Sequence, residues 1–135
     1  MKNIVLVLLL APIFAHAQLP QNDRWAILYD NTKANEKTYI DTQTITFLDF
    51  FEGHQNVYLI WIRTYHDFSM GKYSQQDDQH MAIDLSLSQY EIKSFVKYKD
   101  DNIVDKGQFN LRDWLDIAPE SNAELILSYC KKLNK

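Results

Sequence analysis

Asn56–Asp67 reads NVYLIWIRTYHD, and the rest of the chain is organised around it. Most of its residues are apolar or aromatic, and the β-branched and aromatic types that favour strands dominate. Val57, Leu59, Trp61, Arg63 and Tyr65 alternate with Tyr58, Ile60, Ile62, Thr64 and His66. Both faces are apolar near the start, which predicts a central strand covered on two sides and serving as scaffold through Trp61. The end, Tyr65-His66-Asp67, turns polar and leaves the core.

On either side of this strand the pattern stays that of a sheet. Trp25–Tyr29 and Thr38–Phe47 are strand candidates, and Asp49–Asn56 reads as the turn that makes an antiparallel pair. Phe68–Gln79 is polar and predicts a long exposed connection, where binding surfaces tend to lie. Met81–Leu87 alternates apolar and polar. Tyr90–Lys99 places Tyr90, Ile92, Val96 and Tyr98 opposite Glu91, Lys93, Lys97 and Lys99, as in a sheet with one face in water. Ile103–Phe109 is a short last strand. Pro119 then breaks the chain, and Ser121 stands three residues before Glu124 in a capping-box arrangement. Ile126, Tyr129, Cys130 and Leu133 recur at helical spacing. The fold class expected is α+β, an antiparallel sheet with one C-terminal helix packed on it.

Composition sets the compartment. Lys2, the apolar run Ile4–Phe14 and Ala15-His16-Ala17 form a secretory signal cut before Gln18, leaving 18–135 as a single domain. The apolar run is about half of the roughly 20 residues a membrane-spanning helix needs. No cysteine follows the cleavage site, so there is no acceptor for a lipid anchor. The expectation is a protein of the periplasm, the cell surface or the medium. Net charge is −4, and loss of Lys2 with the leader makes it one unit more negative. That charge argues against nucleic acid or an anionic membrane as partner. Cys130 is the only cysteine. It is read either as a buried thiol or as one half of an intermolecular disulfide.

Catalytic signatures are missing: there is no G-x-S-x-G, H-E-x-x-H, CxxC or phosphate-binding glycine loop. No catalytic residue and no cofactor are assigned. His66-Asp67, Asp77-Asp78 and His80 have ligand types that suit zinc, but so loose a spacing arises readily by chance, and no metal is assigned. Tyr65, His66, Phe68 and Tyr73 around the polar connection are candidate partner anchors, since aromatics supply interface hot spots. Lys93 and Lys97 are candidates for a strip that meets an acidic protein or polysaccharide.

The order of these features resembles the surface-adhesin protein E-like domain of Gram-negative bacteria. The resemblance rests on Trp25–Tyr29, Tyr39–Ile45, Trp61 in the central strand, Asp84, Tyr90 and Tyr98, Trp114 before Ala118-Pro119-Glu120-Ser121, and Cys130 in the last helix. It implies about six antiparallel strands with a C-terminal helix, adhesion to host matrix or serum proteins, and homodimers. Relatives commonly carry a cysteine after the mid-strand aspartate, bridged to the helix. Here Leu85 follows Asp84, and we expect Leu85 to meet the Cys130 side of the helix through apolar contact. The function expected is non-enzymatic binding of a host matrix or envelope protein. The rival readings are a periplasmic inhibitor of the lysozyme-inhibitor type and an envelope structural protein.

Overall fold

A computed structural model describes residues 23–110 and 113–134; the leader expected at 1–17 lies outside them. Its strands are β1 (Trp25–Asn31), β2 (Glu36–Asp41), β3 (Thr46–Phe51), β4 (His54–Ser69), β5 (Lys72–Asp84), β6 (Gln89–Lys99), β7 (Asn102–Gln108) and β8 (Leu115–Asp116). The helix α1 spans Asn122–Leu133. The strands form one antiparallel sheet in the order β1-β2-β4-β5-β6-β7, with β3 also paired to β4 and β8 to β6. An antiparallel sheet with one C-terminal helix is therefore present, built from eight strands where about six were expected. No helix among the described residues is long and apolar enough to cross a membrane.

Asn56–Asp67 forms the middle of β4, the longest strand. The two halves of β4 take different partners along one edge. β2 pairs with the later half, Ile40 opposite Ile62, and β3 with the earlier half, Thr46 opposite Leu59. The single strand expected over Thr38–Phe47 is thus broken in two. Asp41 makes the break: its carboxylate accepts the Gln43 N–H at 3.1 Å and the Thr44 hydroxyl at 2.9 Å. Such local bonds compete with the ladder and favour a turn.

The long polar connection expected over Phe68–Gln79 does not exist. β4 and β5 meet in a hairpin, with Ser69 opposite Lys72 and only Met70 and Gly71 between them. Both turn residues have positive φ, 54° and 81°. That is the backbone of a two-residue turn matching the sheet's twist.

One face of the sheet carries the apolar core. Ile40, Tyr58, Ile60, Ile62, Met81 and Ile83 pack there against Ile126, Leu127 and Cys130 of α1. Leu85 packs on the same cluster. The helix stripe is therefore Ile126, Leu127 and Cys130, with the partly buried Tyr129 packed against the same cluster; Leu133 stays exposed. Burial pushes the Cys130 thiol up to about 12. With no surface exposed, it lies out of reach of a second chain, which removes the intermolecular disulfide and leaves the buried thiol.

Ser121 caps α1, its hydroxyl accepting the Glu124 N–H at 3.2 Å. Glu124 reaches back to accept the Glu120 N–H at 2.6 Å, one residue beyond the usual reciprocal bond to the N-cap. Ser121→Ala is expected to lower stability by about 1 kcal/mol, read as an earlier urea midpoint with an unchanged slope.

Candidate functional site on the sheet face away from the helix

Alternation along β4 sends Leu59, Trp61, Arg63 and Tyr65 to the side opposite α1. Their cross-strand partners Ala82, His80, Asp78 and Gln76 point the same way. This second face is where polar and ionic groups collect.

Arg63 and Asp78 are direct neighbours on β4 and β5. The guanidinium donates twice to the carboxylate, from Nε and Nη2, both at 2.8 Å. Paired donors of this kind are strong and fix orientation. Burial alone would lower the Arg63 pKa, but its bonds to Asp78 and the carboxylate's charge outweigh burial and raise it. Arg24 makes a second fork on Asp41, at 2.9 and 2.6 Å. Burial would raise the Asp41 pKa; the hydrogen bonds from Arg24 and Thr44 override that, and the net shift is downward.

Between these pairs lies Trp25. Its ring has the Arg63 guanidinium 4.3 Å and the Arg24 guanidinium 5.5 Å from its centre, close enough for cation–π attraction. Trp61 stacks on its cross-strand neighbour His80 with centres 4.8 Å apart and planes 15° from parallel. Burial, and then the charge of Lys93, lowers the His80 pKa and favours the neutral ring. A cavity of about 270 Å³ opens here, bordered by Trp25, Trp61, Arg63, Asp78 and Tyr98. Trp61 also borders an adjoining cavity of about 550 Å³, with Ser94, Val96 and Gln108. Trp61 is thus not the buried scaffold its place in the strand suggested. Below the ion pair, Gln76 donates to Asp78 at 3.1 Å, while its own carbonyl oxygen is buried and finds no partner among the described residues.

A third polar lock lies where β4 begins. The buried Asp84 carboxylate accepts from the Ser86 and Leu87 N–H groups at 2.7 and 2.9 Å and pairs with His54. Trp114 stacks on His54, centres 3.8 Å apart. This joins the β5–β6 turn to the start of β4 and to the segment before α1.

Of the residues expected to bind, Tyr65, Phe68 and Tyr73 come together as neighbouring rings, while His66, Lys93 and Lys97 are held in other contacts. Tyr65 is 1% exposed and packs with Tyr39 and Tyr73 in a small aromatic cluster, so Tyr65 and Tyr73 serve packing, not the surface. Phe68 is half-exposed, its ring 4.9 Å from Tyr73. Lys93 is clamped by Glu52 and Glu91, each at 2.6 Å. Lys97 lies exposed near the Phe95 ring. The basic strip fails because β6 holds one extra residue opposite His80/Met81: Ser94 pairs with His80 and Ile92 with Met81. A bulge reverses the facing of the residues beyond it, so Lys93 joins the ionic face and Lys97, opposite Asp77, the helix side.

The loose His/Asp set is divided likewise. His66 meets Asp77 at 3.0 Å and Glu36 at 3.6 Å on the helix side, while Asp78 and His80 face the other way. The hydrogen bond to Asp77 is the largest influence on His66 and raises its pKa above 6.5, against the effect of burial. A raised histidine stabilises the fold fully below the unfolded pKa of about 6.5. That contribution fades as pH climbs through the folded value. A proton NMR titration is expected to place the His66 midpoint above 6.5, and Asp77→Asn to bring it down.

In the frame of the ionic face, Arg24 and Arg63 were not picked out from the sequence, Trp25 was read only as the start of a strand, and Asp78 was weighed only as a metal-ligand type. The one available signal was the pairing of Arg63 with Asp78 that a hairpin turn at Met70-Gly71 imposes. The arrangement defines a class: an antiparallel sheet with a helix on one face and an ionic–aromatic groove on the other. Compared with protein-family models, curated proteins and solved structures, the chain finds no match.

Proposed function

We propose that this is an extracytoplasmic binding protein of the surface-adhesin protein E-like kind. It would contact a host matrix or envelope macromolecule through the groove around Trp61. The observation that carries the reading is the set of groups in that groove. Arg63 is held above and Asp41 below its ordinary pKa. Both stay charged across the physiological range and are poorly suited to exchange protons in a reaction. Fixed ion pairs and partly exposed rings suit recognition, because rigid groups lose little freedom on binding. Histidines elsewhere are engaged by carboxylates: His54 by Asp84 and His66 by Asp77.

The test is capture of purified chain on immobilised matrix and envelope proteins, wild type against Trp61→Ala and Trp25→Ala. We expect retention of the wild type and at least a roughly tenfold loss in the variants, as for a hot-spot aromatic. Equal capture of all three would overturn the reading. So would stoichiometric loss of lysozyme turnover on adding the protein, which would establish the inhibitor alternative.

A further inference from the structure

The two cavities beside Trp61 form one groove, since both are bordered by Trp61 and Val96. We propose that this groove takes a neutral oligosaccharide, with a sugar ring in each of the two cavities that Trp61 borders. The proposal rests on the binding reading above and names its ligand class.

Charge is the first reason. At the smaller cavity each cation has its own anion within 3 Å: Arg24 with Asp41, and Arg63 with Asp78. A phosphate, a sulfated chain or a cation entering there would meet as much repulsion as attraction. Lys106, at the rim of the larger cavity, is the one cation added to these. An acidic polymer would need the run of lysines that the β6 bulge divides.

Hydrogen-bonding shape is the second. A sugar hydroxyl both donates and accepts, so it is met best by donors and acceptors set side by side. A guanidinium has five N–H groups and a carboxylate about four acceptor sites. In the Arg63–Asp78 pair the fork uses two of each, and the Tyr65 hydroxyl engages the guanidinium as well, leaving part of its donor capacity. Asp78 Oδ1 takes a further bond from Gln76, and Oδ2 keeps acceptor capacity. Thr44, on the same wall, donates to Asp41 and retains its own lone pairs. Ser94 and Gln108 supply the same mixed capacity in the larger cavity.

Aromatic surface is the third. The C–H face of a pyranose is apolar and flat, and indole rings offer the matching surface with little side-chain entropy to lose. Trp25 and Trp61 both border the smaller cavity. Trp25 is braced by two guanidinium groups and Trp61 by His80, so the platforms exist before any ligand arrives.

The experiment is calorimetry and tryptophan fluorescence of the chain with neutral hexasaccharides of glucose, mannose and N-acetylglucosamine, and with a heparin hexasaccharide as acidic comparator. We expect at least one neutral series to bind, with affinity changing less than about twofold between low salt and 0.5 M, because no ion pair is formed or screened. Trp61→Ala should weaken binding at least tenfold. Ser94→Tyr, which fills the larger cavity and spares the platform, should do the same if Trp61→Ala does not fold. Heparin binding with steep salt dependence and no neutral binding overturns the proposal, as does neutral binding indifferent to both variants. If no saccharide binds while protein capture persists and still depends on Trp61, the ligand class falls and the binding reading stands. If capture is also lost, both fall.

Discussion

Asp78→Ala is expected to lower the unfolding free energy by about 3–5 kcal/mol, the usual effect of stranding one member of a mostly buried ion pair. The alanine leaves the Arg63 guanidinium without both of its forked bonds, and Gln76 without the acceptor for its amide. The same charge also sits over Trp25. Its departure toward water would loosen that ring and, with it, the contact between β1 and the rest of the sheet. Urea unfolding followed by tryptophan fluorescence measures the loss. The double change Arg63→Met with Asp78→Leu separates the pair's worth from the cost of an orphaned charge. Volume is kept and no charge remains, so most of the stability should return while binding in the groove does not. A single variant as stable as wild type would show the pair to be solvated and free to rearrange.

Ile60→Ala should be comparably severe, at about 3–4 kcal/mol, from lost transfer energy plus the cavity left behind. Ile60 has no exposed surface, pairs with Met81 and sits in the cluster that receives Ile126, Leu127 and Cys130. β5 pairs Ile60 directly, and on the other edge the β3 and β2 ladders flank it at Leu59 and Ile62, so neighbours cannot readily collapse to fill the site. Ile60→Val should cost only about 1 kcal/mol. Thermal unfolding of the three proteins gives the ranking. Similar melting temperatures for Ile60→Ala and wild type would mean that the helix does not depend on this part of the sheet.

These two sites differ in how far the sequence discloses them. Ile60 belongs to a run of β-branched and aromatic residues whose strand character is plain, and α1 announces itself through Ser121, Glu124 and the spacing of Ile126 and Cys130. Periodicity reports apolar burial, and the helix-bearing side of the sheet is apolar. The end of β5, from Met81, was read as strand, but its first part was missed because it buries Gln76 and Asp78 instead, so a real strand looked like a polar loop. The ionic groove is legible only after pairing is known. Arg24 and Asp41 lie 17 residues apart, and Arg63 and Asp78 lie 15 apart; neither spacing is a motif. The lysine strip failed for the opposite reason. Glu91 to Lys99 looks like one uninterrupted alternation, and a bulge leaves no mark on it that periodicity detects.

The seclusion of Cys130 makes the molecule its own reporter. A thiol with no exposed surface and a pKa pushed up to about 12 is inert to alkylating reagents while α1 rests on the sheet, because only exposed thiolate reacts quickly. Each time the helix lifts, the sulfur becomes available. The rate of covalent trapping at saturating reagent therefore counts departures of the helix, one by one, without any added label. Run beside urea unfolding, such trapping would tell whether the helix leaves alone or only when the whole sheet dissolves. In an oxidising compartment, the same seclusion lets a lone cysteine persist without becoming a crosslink.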